Sequence, residues 1–272
     1  MGTAISERLL EHGWEVEVWN RTREKADALV AKGARWTDTP FAADLVLISL
    51  YTSDVVEEVL AQHDGTLHEG QILIDTTTGE PEQSASIGRR LADRAIAYLD
   101  APISGSSEQT RKGEATVIAG GDRAVFEACD ALWRVLGARV FYSGPCGSAA
   151  RMKLISNLVL GLNRAVLAEG LAFAEAIGVE PAAALEVMRG SMAYSKAMDV
   201  KGRKMIEHDY SLQARLTQHL KDVRLMLEAA SHAGLKLPFT ATHRELLERA
   251  VGQGYGDVDN SAIFEVLRRR NA

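Results

Sequence analysis

The chain has 272 residues, 46% hydrophobic and 25% charged, with a formal net charge of -6 and two cysteines. That length holds one large domain or two of ordinary size, with ample material for a core. The acidic balance leaves no footprint for nucleic acid, the scattered histidines have no metal-ligand spacing, and Cys129 and Cys146 have no redox spacing, so small-molecule chemistry in a reducing cytoplasm is expected.

No apolar run is read as approaching the roughly 18 residues of a membrane span, and no secretory signal pattern is present, so no membrane partner is expected. The basic run "RRRNA" at the C-terminus reads as a solvated helix end.

The chain opens on "MGTAISERLLEHGWEVEVWNRT". An amphipathic helix, a glycine stop, an alternating strand and a polar turn follow one another, as in the second half of a nucleotide-binding βαβ unit. The strand and glycine-rich turn that precede the helix in such a unit are not in this sequence.

Up to about residue 144, the strand-like runs "EVEVW", "LVLISL", "ILID", "AYLD", "ATVIAGG" and "RVFYSG" alternate with helical patterns. This predicts an α/β domain with a mostly parallel sheet and ligands at the strand C-termini. After Gly147 the pattern is helical throughout. "ARMKLISNLVLGLNRAVLAEGLAFAEAIGV" is one long helix ending at Gly178, and helices follow at about 180 to 190, 213 to 233, 238 to 252 and 260 to 270. The predicted domains are residues 1–144, Rossmann-like, and residues 145–272, all α, divided at the "GPCG" turn.

Four stretches carry candidate chemistry. "NRT" (Asn20, Arg21, Thr22) follows the first strand, where a dinucleotide fold meets the adenosine ribose. An acid there would favour NAD, whereas Arg accommodates the 2′-phosphate of NADP. Equally, Asn20 and Thr22 read as a turn and a helix cap. "DTTTGEP" sets hydroxyls at a strand end, where Thr78 would bond the nicotinamide end of a cofactor or simply start a helix.

"DAPISGSS" offers the Ser104 hydroxyl and the Gly105 N–H as a carboxylate clamp, or is an ordinary surface loop. In "GPCGSAARMKLISN", Lys153 and Asn157 are spaced i, i+4 and share one helix face. Lys153 lies among Met152, Leu154 and Ile155, and burial there would lower its pKa toward general acid/base use; a solvated helix lysine is the plain alternative.

Together "WNRT", "DAPISG", "GxxGxxxxxKxxxN" and a later "LKD" (Leu220, Lys221, Asp222) resemble the β-hydroxyacid dehydrogenases, the 3-hydroxyisobutyrate dehydrogenase-like group, over essentially the whole chain. The resemblance implies a dinucleotide-binding domain followed by a helical domain that mediates assembly, so a homo-oligomer, dimer or tetramer, is expected. It implies Lys153 as the catalytic general acid/base, with Ser104, Gly105 and Asn157 holding a small carboxylate substrate. It also implies Gly2, Asn20, Arg21, Thr22, Leu50, Thr78 and Lys221 as cofactor contacts, and NADP(H) in preference to NAD(H). The family's "SGG" is Ser104-Gly105-Ser106 here, and Ala149 replaces a second glycine. Lys153 separates the chain from the related imine reductases, which lack it.

In that family the chain would begin with a strand and "GxGxMG", and Met1-Gly2 correspond to the end of this turn. The absent strand would lie mid-sheet, leaving its neighbours about 10 Å apart, twice the normal spacing of about 4.8 Å. Translation from an upstream start, with Met1 an internal methionine, is the expected explanation. The expected activity is an NADPH-preferring oxidoreductase interconverting a small 3-hydroxy acid and its semialdehyde. The alternatives are a reductase of another carbonyl class, or a catalytically silent, cofactor-deficient relative that acts as a binding or oligomeric protein.

Overall fold

The computed structural model describes residues 1–268; residues 269–272, most of the basic "RRRNA" run, lie outside the described residues. Among the described residues eight strands are formed: β1 (Glu17–Val18), β2 (Arg35–Trp36), β3 (Leu45–Ile48), β4 (Ile72–Asp75), β5 (Ala97–Asp100), β6 (Ile103–Ser104), β7 (Thr116–Ala119) and β8 (Arg139–Tyr142). The helices between them are α1 (Gly2–Glu11), α2 (Asp27–Val30), α3 (Ser53–Gln62), α4 (Pro81–Ala92), α5 (Ser107–Arg111), α6 (Arg123–Ala128) and α7 (Asp130–Leu136). After them come α8 (Ser148–Ile177), α9 (Pro181–Arg189), α10 (Arg203–Ile206), α11 (Leu216–His232), α12 (Pro238–Gly252) and α13 (Phe264–Arg268). The chain divides into two compact units, residues 1–153 and 154–272.

In the first unit the aliphatic runs pair in parallel, β3 with β4 and β4 with β5, with Ile48, Asp75 and Asp100 in register at their C-terminal ends. Successive residues face opposite sides of a strand, so Leu73 and Tyr98 enter one core with Val56, Ile87 and Leu91, while Ile74 and Leu99 enter another with Ile5, Leu9 and Trp133. Burial on both faces is what makes these strands read as continuous apolar runs. The strand β7 pairs in parallel with β8 and meets β5 through a single Asp100–Gly120 bridge.

The pairing departs from one continuous sheet. The strands form a two-stranded sheet (β1, β2) and two three-stranded sheets (β3 to β5, β6 to β8). Among the described residues nothing bridges β1 and β3, which is where the sequence reading puts the absent strand. The short strands β2 and β6 were not expected, and β6 runs antiparallel to β7. Each is only two residues long, below the length at which alternation is visible in a sequence.

The second unit is helical, with Leu167, Leu171, Met205, Leu216, Leu247 and Phe264 at the centre of its core. The helix α8 ends at Gly178, whose φ of 82° supplies the left-handed cap that a β-carbon would oppose. The expectation that no run nears membrane-span length needs correction. By length and composition alone α8 would suffice to cross a membrane, yet its Leu154, Leu167, Ala168 and Leu171 are buried in protein, as in a core helix. A short π-helical turn (Met198–Gly202) leading into α10 was not anticipated.

Candidate active site

The ends of the parallel strands carry two buried carboxylates side by side. Asp75 accepts a hydrogen bond from the Thr77 amide at 2.8 Å and one from the Tyr98 hydroxyl at 2.6 Å. Burial pushes its carboxyl up to about 6, against the pull of those hydrogen bonds, and the neighbouring Asp100 adds to the rise. Asp100 accepts from the amides of Gly147 and Ala150, each at 2.9 Å, and so anchors the first turn of α8 to the end of β5. Burial raises this carboxyl as well.

These anchors set the loops around them. The Thr77 hydroxyl accepts from the Leu50 amide at 3.0 Å, and the Thr76 hydroxyl donates to the Ile48 carbonyl at 2.8 Å, tying the loop after β4 to that after β3. Thr78, the hydroxyl singled out from the sequence, is half-buried next to them. Gly2 begins α1 with its α-carbon against Ser49, beyond the end of β3; a β-carbon there would lie 3.5 Å from the serine's own. The Asn20 side chain accepts from the Thr22 amide at 2.9 Å, which makes the turn. Thr22 occupies the cap position of the following 3₁₀ turn without a side-chain cap, and Arg21 is exposed.

Lys153 is 6% exposed, and its ammonium donates to the Ile103 carbonyl at 2.8 Å, next in sequence to Ser104. The solvated-lysine alternative is therefore wrong. Ser104 is half-buried and Gly105 exposed, the latter packed so that a β-carbon would come 3.0 Å from that of Ala115. One turn beyond Lys153 on α8, Asn157 is 8% exposed and its Nδ2 donates to Oδ2 of Asp222 at 3.0 Å. The other oxygen of Asp222 pairs with the half-buried Lys221 ammonium at 3.0 Å.

Sequence reasoning missed the roles of Asp75, Asp100 and Asp222. A signal was available in the first two, since "ILID" and "AYLD" each end an apolar strand on Asp; the third was quoted only as a neighbour of Lys221. Burial raises both thiols, Cys146 to about 12, away from the depressed range of nucleophilic cysteines.

A Rossmann-like unit and an all-helical unit in one chain are the two parts of a class of nicotinamide-dependent oxidoreductases. Residues 1–144 match the NAD binding domain of 6-phosphogluconate dehydrogenase, and residues 147–267 match the NAD-binding domain of NADP-dependent 3-hydroxyisobutyrate dehydrogenase. The chain belongs to the 3-hydroxyisobutyrate dehydrogenase-like β-hydroxyacid dehydrogenases. It is 31% identical to glyoxylate/succinic semialdehyde reductase 1 of Arabidopsis thaliana, over 98% of this chain and 95% of that one. It is 30% identical to 2-hydroxy-3-oxopropionate reductase of Escherichia coli (strain K12), over 98% and 94%. The solved structure of Psf3 in complex with NADP+ and 2-OPP superposes with a TM-score of 0.87 at 26% identity, covering 98% of this chain and 96% of Psf3.

Proposed function

We propose that this dehydrogenase is an NADPH-preferring reductase that interconverts a small 3-hydroxy acid and its semialdehyde. The observation that carries this reading is the buried Lys153 ammonium, donated to a carbonyl beside Ser104 and one helical turn from Asn157. The substrates in the relatives' names, glyoxylate, succinic semialdehyde and 2-hydroxy-3-oxopropionate, are all small carboxylates with a reducible carbonyl; the last gives a 3-hydroxy acid on reduction, the other two a 2-hydroxy and a 4-hydroxy acid.

The residues present suit a dinucleotide. Gly2 would let the cofactor backbone approach the start of α1, Leu50 and Thr78 would line the nicotinamide end, and Lys221 would lie near it. Asn20 and Thr22 would meet the ribose, and the exposed Arg21 would pair with a 2′-phosphate, which favours NADP(H) over NAD(H). When bound, the cofactor supplies or accepts the hydride.

The protein's own groups do the remainder. In the reducing direction Lys153 gives its proton to the carbonyl oxygen, and in the oxidising direction the amine takes it back. Asn157 orients that oxygen, and the Ser104 hydroxyl with the Gly105 amide holds the carboxylate, fixing which face of the carbonyl is presented. The exposed apolar residues Val159, Val166 and Phe173 recur every seventh position on α8, which supports a homo-oligomer.

The test is NADPH oxidation with those three substrates by the parent chain and by Lys153→Ala. Turnover should fall by roughly 10²- to 10⁴-fold while NADPH affinity holds. Equal losses in both would remove Lys153 from proton transfer.

A further inference from the structure

The α8 face that carries Asn157 continues into the helical unit. Gly161 and Arg164 follow at i+4 and i+7, so both lie on that face. The helix α11 packs along it. Asp222 meets Asn157, and His219, one turn earlier on α11, is so close to Gly161 that a β-carbon there would come 2.6 Å from its Nε2; His243 of α12 lies 3.0 Å from the same point. Into this column comes Arg164, 4% exposed, with Nε and Nη2 buried and lacking any hydrogen-bond acceptor in the protein. A helical side chain leans toward the helix N-terminus, so Arg164 covers the turn before its own α-carbon, that of Gly161.

An arginine buried without a direct partner is destabilising unless charge of the opposite sign lies near. Two buried carboxylates provide it. Asp259 and Asp222 both attract the guanidinium through space, while burial pulls its pKa down to about 10. Asp259 is already saturated by Lys201 at 2.8 Å and by the amides of Gln213, Ala214 and Ser261. Asp222 has a less enclosed cation, since Lys221 is half-buried. His243 is held neutral at physiological pH, its pKa lowered to about 4 by burial and by Arg164 itself.

We propose that Arg164 is a positioning residue for the reaction, a buried countercharge that keeps Asp222 aimed at Asn157 when Lys221 engages the cofactor. A carboxylate can only accept, so Asp222 forces the Asn157 amide to turn its NH₂ inward and leaves its oxygen for the substrate side. Loss of the guanidinium frees Asp222 to follow Lys221, and Asn157 loses its fixed orientation. This role rests on the proposed function, through the engagement of the cofactor by Lys221.

The experiment uses the full chain and the variants Arg164→Met, Arg164→Gln, Arg164→Lys, Asp222→Asn and Arg164→Met/Asp222→Asn. With NADPH and a small semialdehyde, Arg164→Met should lower kcat/KM by roughly tenfold to a hundredfold, the scale of an ångström-level misplacement. The double variant should be no worse than Asp222→Asn alone, and Arg164→Lys should retain most of the activity. Additive losses overturn the proposal.

The second readout needs no turnover. In protein labelled with ¹⁵N at asparagine and saturated with NADPH, the Asn157 side-chain proton donated to Asp222 should be shifted downfield and slow to exchange, and Arg164→Met should abolish both features in the folded protein. Arg164→Gln serves the same purpose if the methionine variant does not fold. An unchanged Asn157 signal, with only the melting temperature lowered, would show a merely structural arginine and refute the role. A parent that binds NADPH but reduces none of the semialdehydes would instead refute the functional reading and leave the NMR result to decide on Arg164.

Discussion

Asp75→Asn tests the account of the strand ends directly. Asp75 is 4% exposed and its carboxyl is raised from 3.8 to about 6, first by burial. Between those values the folded chain holds a proton that the unfolded chain has released, so stability from this group is complete below about pH 4 and is lost as pH rises through 6. At 1.36 kcal/mol per pKa unit, a shift of about 2 units costs the native state about 3 kcal/mol at pH 7. Asparagine carries no charge to desolvate, and its amide reaches both the Thr77 N–H and the Tyr98 hydroxyl.

The stability of Asp75→Asn relative to the parent should therefore climb by roughly 2 to 3 kcal/mol between pH 4 and pH 7.5. Comparison at equal pH cancels the titrating groups that do not interact with Asp75. All four tryptophans, Trp14, Trp19, Trp36 and Trp133, lie in the first compact unit, so urea unfolding followed by their fluorescence reports that unit alone. A difference that stays flat across this range, or one that falls, would show that the proton does not reside on Asp75. A slope that appears in Asp100→Asn instead would assign it to the neighbouring carboxylate.

Two further variants probe other parts of the fold. Arg21→Glu should shift the NADPH-to-NADH affinity ratio toward NADH by roughly tenfold to a hundredfold, and an unchanged ratio in fluorescence titrations would exclude Arg21 from the 2′-phosphate. Gly147→Ala should destabilise by about 2 kcal/mol or more, because φ is 89° and a β-carbon would stand 2.6 Å from the Pro81 carbonyl oxygen; an unaltered urea midpoint would refute that steric reading.

Much of the fold is local in origin and was legible in the residues. Apolar runs of four, set between helical patterns, predicted β3, β4, β5, β7 and β8, and the thirty-residue α8 followed from an uninterrupted helical period that stops at Gly178. The shared helix face of Lys153 and Asn157 is likewise a property of 3.6 residues per turn, independent of anything distant. Tertiary structure decided what local periodicity does not encode. The two-residue strands β2 and β6 form by pairing with a neighbouring strand, and among the described residues β1–β2 and β3–β5 pair as separate sheets. Asp75 and Asp100 read as ordinary polar strand ends until parallel register sets them side by side in a buried layer, which is what raises both. Asp222 meets Asn157 across 65 residues, and Arg164 is buried beside the place where α11 and α12 close over Gly161. Their protonation, orientation and energetic cost follow from desolvation and long-range pairing, quantities that come into being only when the chain has packed.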